Sequence, residues 1–238
     1  MDLLEQRGGV CFLPDIVRAL NVSESTVRRD LKELATLGRV SLLRGGGVCL
    51  RQQQVELDFE VKLELHRPAK LRIARYAASL VRDEDVIYLD PSSICYLMID
   101  FLQGRRVTVI TNANANMSRL MRVGIPCIML GGQAKASTGA CVGGLTEEML
   151  HRFWLNKCFL GASGITTEMG LTSHDPNERA IKCLAIRQAQ KTFFLVNAEK
   201  YGVATMCQVA AIDRYPIIMD RPVEELSQYP NIIVAKGD

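Results

Sequence analysis

The chain has 238 residues, of which 48% are hydrophobic and 23% are charged, and its formal net charge is +3. This length and composition are typical of one large or two smaller globular domains, and they argue against a disordered or collagen-like chain. The apolar runs are too short to cross a bilayer, and the first residues lack the cationic start and apolar stretch of a signal peptide. We therefore predict a cytoplasmic protein with no membrane partner.

The cysteines and histidines do not form a metal-binding pattern. There are eight cysteines, and the nearest two in sequence, Cys127 and Cys141, are fourteen positions apart, so no C-x-x-C pair exists. Most cysteines lie in apolar runs, where a reduced thiol packs as a small hydrophobic side chain. The three histidines are scattered. We predict no metal site and no cofactor.

The positive charge is concentrated in one stretch near the N-terminus. Residues 28–51 hold six basic and two acidic side chains, whereas residues 76–238 hold sixteen of each. A localised excess of positive charge is the electrostatic footprint expected of a segment that binds nucleic acid.

Two predicted helices lie at the start of this basic stretch. Residues 14–20 form a short amphipathic helix, with Pro14 suited to its first turn. Ser23 is a good N-cap for a second helix that runs to about Leu37, where Gly38 ends it. Two short helices joined by a tight connection have the spacing of a helix-turn-helix.

The second helix has an apolar face and a basic face. At about 100° per residue, Val27, Leu31 and Leu34 fall within a narrow arc that faces a core. An ordinary amphipathic helix with a solvated charged face has the same pattern, but here the outward residues lie near the helix start, where a recognition helix contacts DNA. The candidate DNA-binding residues on this helix are Ser25, Thr26, Arg28, Arg29 and Lys32.

A predicted hairpin follows the second helix. Residues 39–43 form a strand, residues 44–47 a glycine-rich turn, and residues 48–51 a second strand. A hairpin in this position is typical of a wing, and its glycines allow close approach to a phosphate backbone. Arg44 at the tip is the sixth candidate DNA-binding residue.

These residues carry a family resemblance. The run Val-Ser-Glu-Ser-Thr-Val-Arg-Arg-Asp-Leu-Lys-Glu-Leu at 22–34, followed by Leu-Leu-Arg-Gly-Gly-Gly at 42–47, resembles the DNA-binding domain of DeoR/GlpR-type bacterial transcriptional repressors. The resemblance implies a winged helix-turn-helix domain over residues 1–52 that binds double-stranded operator DNA. Two features differ from the family pattern. Arg44 stands where the family usually has histidine, and the first helix of the domain is abbreviated to about residues 2–6.

A larger domain is predicted over residues 68–238, after a mixed polar linker at 53–67. Pro68 opens a helix that runs to about Val81, and from residue 85 strands and helices alternate. Apolar runs at 86–89, 107–110, 127–130, 158–160, 193–196 and 217–219 predict the strands. Near-continuous apolar strands with helical crossovers indicate a mainly parallel sheet covered by helices. The predicted fold class is α/β with an N-terminal winged helix-turn-helix.

The residues that follow the predicted strands are small, polar or charged. Ligands of an open α/β sheet bind beyond the carboxyl ends of its strands. Ser92 and Ser93 open a helix, where hydroxyls and free backbone N–H groups favour an anion, and Lys182 and Lys200 can supply cationic donors. Strand-to-helix turns need such residues for geometry alone, but five of them in one sheet indicate a site for a polar ligand.

The resemblance to the DeoR family extends through this domain. It is carried by Lys70-x-x-Ile73-Ala74, Ile87-Tyr-Leu-Asp90, Phe159-Leu-Gly-Ala-Ser-Gly164 and Asn197-Ala-Glu-Lys200-Tyr-Gly. It implies a sensor domain, similar in fold to sugar-phosphate isomerases, that binds a phosphorylated sugar. The candidate effector-binding residues are Asp90, Ser92, Ser93, Thr111, Asn112, Gly131, Gly132, Gly161, Glu178, Lys182, Asn197 and Lys200.

Three features of the larger domain differ from the family pattern. The usual Asp-Ser-Gly-Thr-Thr loop is replaced by Asp90-Pro-Ser-Ser, in which Pro91 removes one backbone donor. Asn197 and Asn156 stand where the family has aspartate. Two carboxylates have therefore become amides, which predicts either a change in effector preference or a partly degenerate site.

Three functions are compatible with these features. The first is a repressor of a carbohydrate-metabolism operon, controlled by a phosphorylated sugar and acting as a homodimer or homotetramer, because one small winged helix reads few bases. The second is a sugar-phosphate isomerase with an accessory DNA-binding domain, using Glu178 or Asp90 as the base. The third is an architectural DNA-binding protein with an inert α/β domain. The convergent polar loops and the absence of a convincing acid/base pair favour the first, and we assign no catalytic residues.

Overall fold

The computed structural model describes residues 3–4, 10–36, 40–43, 46–50 and 58–236. The chain divides into two compact units, residues 1–66 and residues 67–238. The predicted wing tip at Arg44, the helix end at Gly38 and most of the abbreviated first helix lie outside the described residues.

The described part of the first unit contains three short helices with complete bounds and a three-stranded antiparallel sheet. Its helices are α1 (Leu13–Leu20), α2 (Glu24–Thr36) and α3 (Phe59–Glu64). Its strands are β1 (Val10–Phe12), β2 (Val40–Leu43) and β3 (Gly47–Leu50), in the order β1-β3-β2. The helix-turn-helix and the hairpin were predicted. Strand β1 was not, because three residues are too few to show a period and the strand forms only by pairing with β3.

Helix α2 follows the predicted pattern. Val27 and Leu31 are buried and Leu34 is half-buried, in a cluster that includes Ile16 and Val48. Its start is capped, because the Ser23 hydroxyl accepts a hydrogen bond from the backbone N–H of Thr26 at 3.2 Å.

Replacing Ser23 by alanine should lower the stability of the first unit by about 1 kcal/mol, because it removes this cap. Ser23→Thr retains the hydroxyl and serves as the control. Thermal unfolding followed by circular dichroism measures the difference, and equal midpoints for wild type and Ser23→Ala would show that the cap contributes nothing.

The second unit is built on a seven-stranded parallel sheet. The strands are β4 (Val86–Leu89), β5 (Thr108–Thr111), β6 (Cys127–Met129), β9 (Leu155–Gly161), β12 (Ala189–Leu195), β14 (Ile217–Met219) and β15 (Ile232–Val234). Their order in the sheet is β15-β14-β12-β9-β4-β5-β6, and every neighbouring pair runs parallel. The predicted mainly parallel α/β fold is confirmed. Strand β15 was not predicted, because it has only three residues.

Helices and two small antiparallel sheets accompany the parallel sheet. The helices are α4 (Arg67–Ser79), α5 (Ser93–Met98), α6 (Asn114–Arg122), α7 (Gly144–His151) and α8 (Pro176–Gln188), with 3₁₀ turns at Ile99–Leu102, Ala198–Lys200 and Glu224–Leu226. The small sheets are the hairpin β7 (Gln133–Lys135) and β8 (Ala140–Val142), and the set β10 (Gly164–Thr166), β11 (Gly170–Ser173) and β13 (Cys207–Ala210). Neither was predicted, because their strands are only three or four residues long.

The order of the strands reverses between β4 and β9. From β4 the chain proceeds outward to β5 and β6, and then returns to β9 on the other side of β4 before proceeding to β12, β14 and β15. A reversal of this kind opens a crevice at the carboxyl ends of the two central strands, which is where open α/β sheets bind ligands. The segments at this position begin with Asp90 after β4 and with Gly161 at the end of β9.

The remaining sequence expectations concern the membrane and metals. Among the residues that the structure describes, no helix is both long and apolar enough to cross a membrane. Within the same residues, no group of three or more histidine, cysteine or acidic side chains is arranged to hold a metal ion.

Candidate functional sites

The predicted DNA-binding side chains on α2 lie at the surface. Ser25, Arg28, Arg29 and Lys32 are exposed and Thr26 is half-buried. Both arginines of this face have acidic partners on the same helix. Arg28 pairs with Glu24 at 2.7 Å, and Arg29 pairs with Asp30 at 3.3 Å. The basic face is therefore partly neutralised within the helix.

The start of α2 carries a cluster of hydroxyls. The Ser23 Oγ atom lies 2.9 Å from Ser25 Oγ and 2.8 Å from Thr26 Oγ1. These hydroxyls lie at the positive end of the helix dipole, where a phosphate oxygen is favoured. A groove runs between α2 and the hairpin. It is lined by Leu13, Arg28, Leu31, Lys32, Leu42, Gly46, Gly47 and Val48.

In the second unit, a buried ion pair lies at the carboxyl ends of β4 and β9. Lys182 of α8 donates a hydrogen bond to Asp90, and the two residues are only 6% and 2% exposed. Lys182 Nζ also donates to the carbonyl oxygen of Gly161 at 3.1 Å, and the Gly161 N–H donates to Asp90 Oδ2 at 2.9 Å. Burial by itself would lower the pKa of Lys182, but the carboxylates of Asp90 and Glu178 raise it above its ordinary value. The ammonium group is therefore held charged.

The turn after β4 packs closely against the end of β9. A side chain at Gly161 would place its Cβ atom 2.6 Å from Ser92 Cβ, so this close approach requires glycine. Ser92 caps α5 by accepting a hydrogen bond from the Cys95 N–H at 3.3 Å. Lys200 donates to the carbonyl oxygen of Ala162, next to Gly161. The structure thus brings Asp90, Ser92, Gly161, Lys182 and Lys200 together, although they are distant in sequence.

Glu178 lies one helical turn before Lys182 and is also buried. Its Oε1 atom accepts hydrogen bonds from Lys135 Nζ at 3.1 Å and from Thr138 Oγ1 at 3.2 Å. Lys135 also pairs with Asp175 at 2.9 Å. Lys135 and Asp175 were not predicted as site residues, because neither directly follows one of the predicted strands.

Thr111 and Asn112 make hydrogen bonds within the protein. Thr111 Oγ1 donates to the carbonyl oxygen of Leu89 at 2.7 Å. Asn112 Oδ1 accepts from the Tyr88 hydroxyl at 2.7 Å, and Asn112 Nδ2 donates to the Cys141 carbonyl at 2.7 Å. Burial raises the pKa of Tyr88 well above its ordinary value, so its hydroxyl remains a donor. These contacts hold the ends of β4 and β5 in place.

The glycines after β6 pack against α7. The Gly131 carbonyl accepts a hydrogen bond from Thr146 Oγ1 at 2.8 Å. A Cβ atom at Gly132, where φ is +152°, would lie 2.1 Å from Thr146 Oγ1. The backbone contact at this position therefore needs glycine for packing against Thr146.

The two asparagines that replace family aspartates lie at opposite ends of the sheet. Asn156 is the second residue of β9, and its Oδ1 atom accepts a hydrogen bond from the Val86 N–H at 2.8 Å, at the amino ends of the strands. Asn197 follows β12 at the carboxyl ends, is 3% exposed, and its Oδ1 atom has no hydrogen-bond partner in the structure. Of these two asparagines, only Asn197 lies at the carboxyl ends of the strands.

Family models match both units of the chain. Residues 1–53 match the DeoR-like helix-turn-helix domain, and residues 65–221 match the DeoR C-terminal sensor domain. The chain belongs to the DeoR family of transcriptional regulators. The family resemblance found in the sequence is therefore confirmed, and with it the prediction that this protein is a DNA-binding transcriptional regulator.

Curated relatives of this DeoR-family regulator agree along nearly its whole length. The uncharacterized HTH-type transcriptional regulator FruR of Bacillus subtilis is 35% identical over 90% of this chain and 85% of its own. The lactose phosphotransferase system repressor of Lactococcus lactis is 29% identical over 99% and 96%. The L-fucose operon activator of Haemophilus influenzae is 25% identical over 93% and 90%. These relatives are named as regulators of transcription, and they include both a repressor and an activator.

A partial match is found among solved structures. Ribose 5-phosphate isomerase A of Methanocaldococcus jannaschii superposes with a TM-score of 0.43 and 20% identity, over 57% of this chain and 54% of that one.

Proposed function

We propose that this DeoR-family regulator represses a carbohydrate-metabolism operon and releases its operator when a phosphorylated sugar binds between β4 and β9. The observation that carries the proposal is the side-chain cluster at the strand-order reversal, where Ser92 and Lys182 contact Gly161 and Lys200 contacts Ala162. Hydroxyl and ammonium donors at the carboxyl ends of parallel strands suit a phosphate ester. Asp90 and Glu178 supply carboxylate acceptors for sugar hydroxyls.

Within this proposal the twelve candidate effector residues have two roles. Asp90, Ser92, Lys182, Lys200 and Glu178 are the side chains that contact the ligand. The other candidates hold the loops around it: Ser93 is buried at the start of α5, and the packing and hydrogen bonds of the rest have been described for Thr111, Asn112, Gly131, Gly132 and Gly161. Asn197 follows β12 at the same ends of the strands, and a ligand hydroxyl can donate a hydrogen bond to its unpaired amide oxygen.

The DNA-binding surface in this proposal consists of the outward face of α2 and the wing. Arg28, Arg29 and Lys32 contact the major groove, the hydroxyls of Ser25 and Thr26 contact phosphates, and Arg44 contacts the backbone from the wing tip. We also propose that the protein acts in the cytoplasm as a homodimer or homotetramer, because one winged helix contacts too few base pairs for a specific operator.

The test is an electrophoretic shift on the promoter of the regulated operon, with and without a panel of ribose 5-phosphate, glucose 6-phosphate, fructose 1-phosphate and fructose 6-phosphate. At least one of these should release the DNA from wild-type protein. Lys200→Ala should lose the response while its DNA affinity stays within about twofold, because Lys200 belongs to the proposed effector site and not to the DNA-binding unit. The exposed Lys191 of β12, changed to alanine, is the matched control.

Release by an unphosphorylated sugar but by no phosphate ester would refute the phosphosugar assignment. Asn197→Asp restores the carboxylate of the family pattern and is expected to widen the range of phosphate esters that bind. By linkage, an effector that lowers DNA affinity must bind DNA-bound protein more weakly by the same factor.

A further inference from the structure

The hairpin β7–β8 is attached on one side to the segment after β5 and on the other side to α8. On one side, the Asn114 N–H donates to the Gly139 carbonyl and the Cys141 N–H donates to the Asn112 carbonyl, so the hairpin is joined to the end of β5. On the other side, Lys135 and Thr138 contact the first turns of α8, which also supplies Lys182. The hairpin therefore spans the edge of the sheet at which the effector is proposed to bind.

Ionic contacts hold the hairpin to α8. Lys135 Nζ lies 2.9 Å from Asp175 Oδ2 and 3.1 Å from Glu178 Oε1, and its side chain is only 19% exposed. Two carboxylates thus face this ammonium group. Burial alone would raise the pKa of Asp175, but the hydrogen bonds from Lys135 and from the N–H groups of Glu178 and Asn177 lower it below its ordinary value. Asp175 is therefore ionised at neutral pH.

We propose that Lys135 is a further effector-binding residue, which exchanges its two carboxylate partners for the phosphate of the ligand. This inference rests on the proposed phosphosugar function. A phosphate ester carries nearly two negative charges and three acceptor oxygens, so it can replace both carboxylates as the counterion of Lys135. Glu178 keeps the hydrogen bond from Thr138 and becomes available to a sugar hydroxyl. Lys135 thereby couples recognition of the phosphate to the position of the hairpin.

The exchange predicts opposite effects for the two partners of the ion pair. Lys135→Met removes a ligand contact and should weaken binding of the sugar phosphate about tenfold or more. Asp175→Asn removes a competitor for Lys135 and should tighten binding about two- to fivefold. The asparagine keeps the Oδ1 acceptor that caps α8, which receives the N–H groups of Asn177 and Glu178. Lys135→Arg keeps the charge and should retain most of the affinity.

Isothermal titration of the full-length protein measures these affinities, with the four sugar phosphates of the panel and with inorganic phosphate. Lys191→Met is the control for loss of a lysine charge, and thermal unfolding checks that each variant is folded. If Lys135 only fixes the hairpin, Lys135→Met and Asp175→Asn will change affinity in the same direction, which overturns the inference. Unchanged affinity in Lys135→Met does the same and leaves the proposed function intact. Absence of binding by wild type to every probe rejects the proposed function itself.

Discussion

Changing Asp90 to asparagine is expected to destabilise the second unit by about 3–5 kcal/mol, because it leaves the buried Lys182 ammonium without its carboxylate partner. The pair lies almost entirely out of water, with exposed fractions of 2% for Asp90 and 6% for Lys182. Urea unfolding followed by circular dichroism measures the change. The control is Asp213→Asn, an exposed acid-to-amide change that should be nearly neutral.

The double variant Asp90→Asn, Lys182→Met distinguishes a lost charge pair from a disturbed turn. It removes both charges and should recover much of the lost stability, since replacing a buried pair by apolar groups is often neutral. If the double variant is less stable than Asp90→Asn, Lys182 stabilises the fold through its hydrogen bond to the Gly161 carbonyl rather than as the charge partner of Asp90.

The same pair predicts a reversal of pH dependence. In the wild type the pKa of Lys182 is raised in the folded state, so its contribution is fully present below the ordinary lysine pKa and is lost as the pH rises through the folded value. Without the Asp90 carboxylate, burial is the largest remaining influence and lowers the pKa of Lys182. The folded variant then binds fewer protons than the unfolded chain, so its stability should increase with pH.

The second large effect is expected at the DNA-binding face. Arg28→Ala and Arg29→Ala should each weaken operator binding by about 1–3 kcal/mol, because each removes a guanidinium able to contact base edges. Fluorescence anisotropy with a labelled operator and with unrelated DNA separates specific from nonspecific loss. Arg214→Ala, an exposed arginine in the second unit, is the control. Unchanged operator affinity in both variants would contradict the assignment of α2 as the recognition helix.

A change at Glu24, the partner of Arg28, is expected to strengthen DNA binding instead of weakening it. Glu24 accepts two hydrogen bonds from the Arg28 guanidinium, at 2.9 Å from Nε and 2.7 Å from Nη2. A phosphate or a base must compete with this carboxylate. Glu24→Gln should therefore increase DNA affinity, and the increase should disappear when Arg28 is already alanine.

Local patterns in the sequence determined the winged helix-turn-helix and the parallel sheet. The 3.6-residue period identified the buried face of α2, and the apolar runs located six strands of the large sheet. The rule that ligands bind after parallel strands selected Asp90 and Gly161, which the structure brings into contact. These inferences succeed because helix period, strand burial and turn chemistry depend on neighbouring residues.

Only the tertiary structure decided which of the selected residues meet. Asp90 and Lys182 are 92 positions apart, and Lys135 and Glu178 are 43 apart, so no local pattern relates them. Asn156 was grouped with Asn197 by its place in the family pattern, yet its amide lies at the opposite end of the strands. The order of strands sets these distances, because it places β4 beside β9 and folds α8 and the hairpin over their ends. That order results from packing across the whole sheet, which a periodicity within ten or fifteen residues does not encode.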